Sequence, residues 1–297
     1  MLNNHKEILL GDNPFFGIDH LSQERARKRM QKLDTFQKMT DVMEYVSSLG
    51  VKGFVVSTHP QMKELIKHMQ ENTNILKNYE FYPILPYAQG YVSKVTEKGI
   101  TNTINDLLSQ GNIQTRLKII LKGSTGWLKK DFEKLFQTFI DIELLPFSPT
   151  KKKTIFLHNA ITDLAISLGM KKLIQSFTNH IEKQYGVKPG LVTLNFPSTV
   201  KTLEKWAIEP PEIMTPINPL GYQMNPSQEE CENYLSKANV MAMNVLAGGY
   251  LKPKESFEYI SKLDINSVVI GMSSKEHAKE TIEIFKSLNL RLLNKNK

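Results

Sequence analysis

Residues 36–59, FQKMTDVMEYVSSLGVKGFVVSTH, contain one complete helix-and-strand unit. Over residues 36–49 the apolar side chains of Phe36, Met39, Met43 and Val46 recur at three- and four-residue spacing, which gathers them on one face of a helix. Gly53-Phe54-Val55-Val56 follows as a short β-branched and apolar run of strand character, and the polar trio Ser57, Thr58 and His59 comes directly after it.

The same unit recurs along the chain. Further apolar runs begin at Ile8, Tyr82, Lys118, Thr154, Leu191, Ile213, Val240 and Ser267, and residues 132–142 repeat the helical pattern with Phe132, Leu135, Phe136 and Phe139 on one face. Strands alternating with helices predict a parallel sheet with crossover helices. No low-complexity tract or Pro/Gly-rich linker divides the 297 residues, so the expected architecture is α/β, a (β/α)8 TIM-type barrel forming a single domain over residues 1–297. With the run at Gly53 there are nine candidate strands, one more than such a barrel uses. The run at residues 82–85 is the weakest, because Pro83 and Pro86 bracket it and remove ladder donors; an extra segment is placed near residues 79–100.

Bulk properties narrow the function classes. A hydrophobic content of 40% supports a large core, while no apolar stretch is long enough to span a bilayer and residues 1–7 are polar, so no membrane partner is expected. Cys231 is the only cysteine, which rules out an intrachain disulfide and a cysteine-based zinc cluster and fits a reducing, cytoplasmic compartment. The net charge of +8 comes from lysines spread over the whole chain, and the clusters at residues 25–29 and 151–153 have no interleaved aromatics for stacking on bases, so no nucleic-acid partner is expected either. Nothing in the sequence fixes an oligomeric state.

In a (β/α)8 barrel the working residues project from the C-terminal strand ends. That rule selects Asp12 and Asn13, then Ser57, Thr58 and His59, then Lys122, Ser124 and Thr125, followed by His158 and Asn159, Asn195, Asn218, and Ser273 with Ser274. Each small polar residue has an ordinary alternative as a turn former or helix N-cap. Lys122 at a barrel mouth is a candidate general acid, anion clamp or Schiff-base former, or else a snorkelling surface lysine. His158 suits a hydrogen-bond donor to a carbonyl or alcohol oxygen, with a satisfied core histidine as the alternative. His20, His59 and His158 with Asp12 contain the atom types for a metal, but there is no HExxH or HxH pair and none is expected.

From residue 191 to about residue 288 the order of motifs resembles the second half of an aldo/keto reductase. Leu194-Asn195-Phe196 is similar to that family's Ser-Asn-Phe after its fifth strand, and Pro216-Ile217-Asn218-Pro219-Leu220 to its Tyr-Asn-Pro-Leu after the sixth. Residues 244–251, NVLAGGYL, resemble the Gly-Gly run after the seventh strand, and residues 270–277, IGMSSKEH, resemble the opening of the last crossover. The resemblance implies NADP held by Asn195, Asn218, Leu246, Gly248, Gly249, Ser273, Ser274 and Lys275. Upstream, Ile120-Leu121-Lys122-Gly123 looks like the strand carrying the family's catalytic lysine, and Leu157-His158-Asn159 like that carrying its histidine. The family's aspartate and tyrosine have no match around Val56-Ser57-Thr58-His59, and Met214 stands near its carboxamide-contacting glutamine. His59, His158 or Tyr87 are the substitutes on offer for the missing acid.

The expected activity is therefore NADP-linked reduction or oxidation of a small polar or sugar-like carbonyl compound, with Lys122, His158 and His59 as catalytic residues and Asp12, Asn13, Tyr87 and Asn159 contacting the substrate. Two alternatives stand beside it: a non-redox lyase or isomerase using Lys122, and a catalytically silent binding protein.

Overall fold

The computed structural model describes residues 6–18, 24, 31, 33–72, 74–86 and 132–295. Its centre is a closed parallel barrel. The strands are β1 (Glu7–Gly11), β2 (Gly53–Ser57), β3 (Glu80–Leu85), β4 (Thr154–Leu157, preceded by a two-residue ladder at Lys151–Lys152), β5 (Lys188–Val192), β6 (Glu212–Pro216), β7 (Val240–Met243) and β8 (Ser267–Gly271). Each pairs in parallel with its sequence neighbour, and β8 returns to β1 through the register Ile8↔Val268 and Leu10↔Ile270, which closes the ring. The helices used below are α1 (Phe36–Ser48), α2 (Met62–Asn72), α3 (Phe132–Glu143), α4 (Asn159–Ser167), α5 (Lys171–His180), α6 (Phe196–Lys205), α7 (Gln228–Tyr234), α8 (Pro253–Ile260) and α9 (Lys275–Lys295).

Alternation along the strands builds two apolar layers. Leu9, Val55, Tyr82, Phe156, Val192, Met214 and Met241 turn inward, one from each of seven strands, with Val269 of the eighth packed against them. Their neighbours Leu10, Phe54, Val56, Phe81, Ile155 and Leu157 turn outward into the larger core beneath the helices. Met39, Met43 and Val46 of α1 are buried in that layer and Phe36 packs on it, as the spacing predicts. Thr35 caps the helix by accepting the Lys38 N–H.

The barrel leaves no room beside its largest inward side chains. A Cβ on Gly190 would lie 2.4 Å from the Phe156 ring, which is its register partner, and one on Gly53 would lie 2.2 Å from Leu9 Cδ2. Glycine at these strand positions is therefore a packing requirement.

Two expectations about the strands need correction. Residues 80–85 are a full barrel strand, paired with β2 from Gly53↔Glu80 to Ser57↔Ile84, and are not part of an extra segment. Pro83 is accommodated because the ladder on its other side is interrupted: Phe81 pairs with Lys152 and Ile84 with Phe156, so one additional residue on the β4 side breaks the register opposite the proline. The ring also closes directly from β3 to β4, through Ile84↔Phe156 and Leu85↔Leu157, so its eight strands are complete without the candidate run at residues 118–121. That run, Lys122 and Tyr87 lie outside the described residues. Among the described residues, no helix is long and apolar enough to cross a membrane.

Candidate active site

A cavity of about 550 Å³ opens at the C-terminal end of the barrel. Its floor is apolar, made by Val55, Ile84, Val192, Met214, Met243 and Val269, and its rim is polar.

On one side β1 ends in Asp12, which is only 6% exposed. Ser57, at the end of the adjacent β2, donates to Asp12 Oδ2 from its backbone N–H at 2.8 Å and from its hydroxyl at 2.6 Å. Burial raises the Asp12 pKa because it removes water from the anion, and the two Ser57 bonds work against that rise. Asp12, Asn13 and Ser57 all line the cavity.

On the opposite side β4 delivers His158, which also lines the cavity. It is the N-cap of α4, and its Nδ1 accepts the Ala160 N–H at 3.1 Å. An acceptor Nδ1 places the proton of the neutral ring on Nε2. Burial lowers the His158 pKa, with Asp163 opposing, so the neutral ring is the favoured form. Asp163, one turn into α4, accepts the Thr193 hydroxyl and the Leu194 N–H, which fastens α4 to the end of β5. Asn159 follows His158 on the same wall.

The third wall is the loop after β7. Asn244, Ala247, Gly248 and Gly249 all have positive φ, at 53°, 46°, 70° and 85°. A chain coiled this way turns its backbone toward the cavity, and Leu246, Gly248 and Gly249 line it. The N–H groups of Ala247, Gly248, Gly249 and Tyr250 are bonded within the loop, that of Gly248 to Asn244 Oδ1 at 2.7 Å. Beside this loop Gly271 and His277 complete the wall, at the end of β8 and in the first turn of α9, where Ser274 Oγ accepts the His277 N–H.

Several expected site residues stand elsewhere. His59 stacks on Phe16 at 4.2 Å between ring centroids, accepts the Gln61 N–H at Nδ1, and is held down to a pKa of about 4 by burial; it does not line the cavity. Asn218 is fully buried, with its oxygen accepting the Leu220 and Tyr222 N–H groups and its amide donating to the Tyr222 carbonyl, so it serves its own turn. Asn195 is exposed ahead of α6, and Ser273, Ser274 and Lys275 are not among the residues that line the cavity. Conversely, Gln223 and Asn244 line the cavity although the strand-end rule did not select them; Gln223 lies seven residues beyond β6 in a loop whose path the sequence does not define.

No family model matches this sequence, and no curated protein is similar to it. Solved structures are. A Pseudomonas aeruginosa protein assigned to the aldo-keto reductases superposes with a TM-score of 0.60 at 11% identity, over 95% of this chain and 90% of that one. The holo form of an aldo-keto reductase from Bacillus halodurans gives 0.52 at 10% identity, over 96% and 91%. A Bombyx mori aldo-keto reductase in complex with NADP gives 0.51 at 10% identity, over 95% and 88%.

The chain has the aldo-keto reductase fold. At these identities the likeness concerns the barrel, and the chemistry has to be argued from the residues in it. Of the four catalytic groups that the family resemblance implies, His158 is present at a cavity-facing strand end. None of the eight described strands ends in a lysine or is followed directly by one. For a dinucleotide, the left-handed glycine loop permits close approach of a phosphate, and the N-terminal dipole of the long α9 beside it favours an anion, so the phosphate end fits. At the nicotinamide end β6 offers the thioether of Met214 in place of a carboxamide partner.

Proposed function

We propose that this barrel is an enzyme acting on a small polar carbonyl compound, with NADP as co-substrate. The observation that carries the reading is the convergence of Asp12 and His158 on one cavity, each shifted by burial toward its neutral form. The Nε2–H of His158 donates to the carbonyl oxygen and stabilises the negative charge that develops there. Asp12, held nearer its protonated form than an exposed carboxyl, supplies the proton that the oxygen gains, and the Ser57 hydroxyl orients it. The loop at residues 244–251 and the first turn of α9 hold the phosphates. NADPH, when bound, supplies the hydride. The apolar floor of Met214, Met243 and Val192 excludes water from the reacting carbon.

Titrating the purified protein with NADPH, NADP and NADH while following its melting temperature tests the cofactor directly. A concentration-dependent rise with the two 2′-phosphorylated nucleotides supports this reading, and an unchanged melting temperature with all three removes NADP from it.

One observation favours a second reading. A neutral histidine at a helix N-terminus that shares a cavity with a buried carboxyl is also an arrangement for moving a proton next to a carbonyl, without hydride transfer. In that case Asp12 is the base and His158 the electrophile, and solvent deuterium enters the carbon beside the carbonyl without nucleotide.

A further inference from the structure

Gln223 and Asn244 are both held at positive φ, 62° and 53°, a region that side-chain-bearing residues rarely adopt. They meet at the cavity wall, where Asn244 Nδ2 donates to Gln223 Oε1 at 3.0 Å. The orientation of both amides is set by the backbone. The Gly248 N–H can only donate, so the oxygen of Asn244 must face it, at 2.7 Å. That leaves the nitrogen of Asn244 toward Gln223, and in turn commits the oxygen of Gln223 to Asn244. The Gln223 Nε2 is then the end left to face the cavity, and it can only donate. Two backbone residues in a sparsely populated region, joined by a chain of directed hydrogen bonds, mark a position where geometry is maintained at some cost in stability.

We infer that Gln223 is the specificity-determining residue of this site: its Nε2 donates to an oxygen of the substrate other than the reacting one, so that a carbonyl compound with a second oxygen is preferred to one without. This rests on the reading that the mouth cavity takes a small carbonyl compound. Among the polar groups that line the cavity, Asn13, Ser57, Asn159 and Gln223 are uncharged and suit hydroxyl and carbonyl oxygens.

The test is a side-chain amide NMR titration of the full chain, with the Gln223 signal assigned by its disappearance in Gln223→Leu. The probes are glyceraldehyde and propanal, and the methyl signals of Met214 and Met243 report entry into the cavity. Glyceraldehyde is expected to move the Gln223 amide and both methyls saturably, and propanal the methyls alone. Gln223→Leu is expected to weaken glyceraldehyde binding roughly five- to tenfold, the worth of one neutral hydrogen bond, without affecting propanal. In Asn244→Asp, which keeps an oxygen for Gly248 but repels that of Gln223, the amide turns over and ceases to respond. Methyl shifts without a Gln223 shift overturn the inference. So does no response of the cavity to either probe. NADPH consumption is measured separately: glyceraldehyde bound through Gln223 but never reduced rejects the redox reading and leaves this inference intact.

Discussion

Ser57 directs both its backbone N–H and its hydroxyl to a single oxygen of Asp12, at 2.8 and 2.6 Å. This bond pair ties the C-terminal ends of β1 and β2 together at the cavity rim and fixes the carboxyl of Asp12 in place. Burial favours the neutral form of the carboxyl, and the two Ser57 donors together with the Asp12 backbone N–H oppose it.

Asp12→Asn is expected to abolish turnover while leaving the fold at least as stable at neutral pH. The folded-state pKa of Asp12 is raised, so the folded chain holds this proton more tightly than the unfolded one, and stability falls as pH rises from the ordinary carboxylate range through the folded value. Asparagine keeps an acceptor for the Ser57 N–H and removes that fall. Denaturant unfolding of both proteins across this range checks it; an unchanged pH slope in the variant counts against the raised pKa.

His158→Ala loses the cap of α4 as well as the donor. A stability loss of about 1 kcal/mol is expected from the cap, and a fall of roughly 10²- to 10⁴-fold in kcat/KM from the chemistry. His158→Asn separates the two, since asparagine caps well: stability returns while activity stays low. Full activity in His158→Asn would assign the histidine a purely structural role.

For His59 the expectation concerns pH and stability alone. Its pKa falls from 6.5 to about 4 on burial against Phe16, so the unfolded chain takes up a proton first and stability is lost as pH falls from 6.5 toward about 4. His59→Phe keeps the stacked ring and flattens that limb of the stability profile, with little change in turnover. Loss of turnover in a well-folded His59→Phe protein would bring this residue back into the mechanism.

Gly190→Ala places a methyl group against the Phe156 ring inside the barrel. Overpacking of this kind costs about 1–3 kcal/mol, and the double variant Gly190→Ala, Phe156→Leu is expected to recover part of it. Equal stability of Gly190→Ala and the parent in denaturant melts would show that the strand can shift to accommodate the methyl.

The sequence was sufficient for the barrel class because most of its strand-helix units announce themselves locally. Phe36, Met39, Met43 and Val46 form a helical face, and Gly53-Phe54-Val55-Val56 a buried strand, whatever the rest of the chain does. The strand-end rule also brought Asp12, Asn13, His158 and Asn159 into view, and the family resemblance added Leu246, Gly248 and Gly249. The standing of the strand at Glu80–Leu85 was not legible: Pro83 argues against it locally, and only the interrupted register opposite Lys152 and Phe156 removes the objection. His59 and Asn218 satisfied the same strand-end rule as His158, yet one turns onto Phe16 and the other into its own turn, because a side chain's direction depends on which neighbours complete its hydrogen bonds. Gln223 gave no signal at all. Its place on the cavity wall comes from a long loop folding back until its amide meets Asn244, a contact between residues far apart along the chain. Periodicity fixes the elements because it is a property of neighbours in sequence; the site is made by neighbours in space, and those the fold alone supplies.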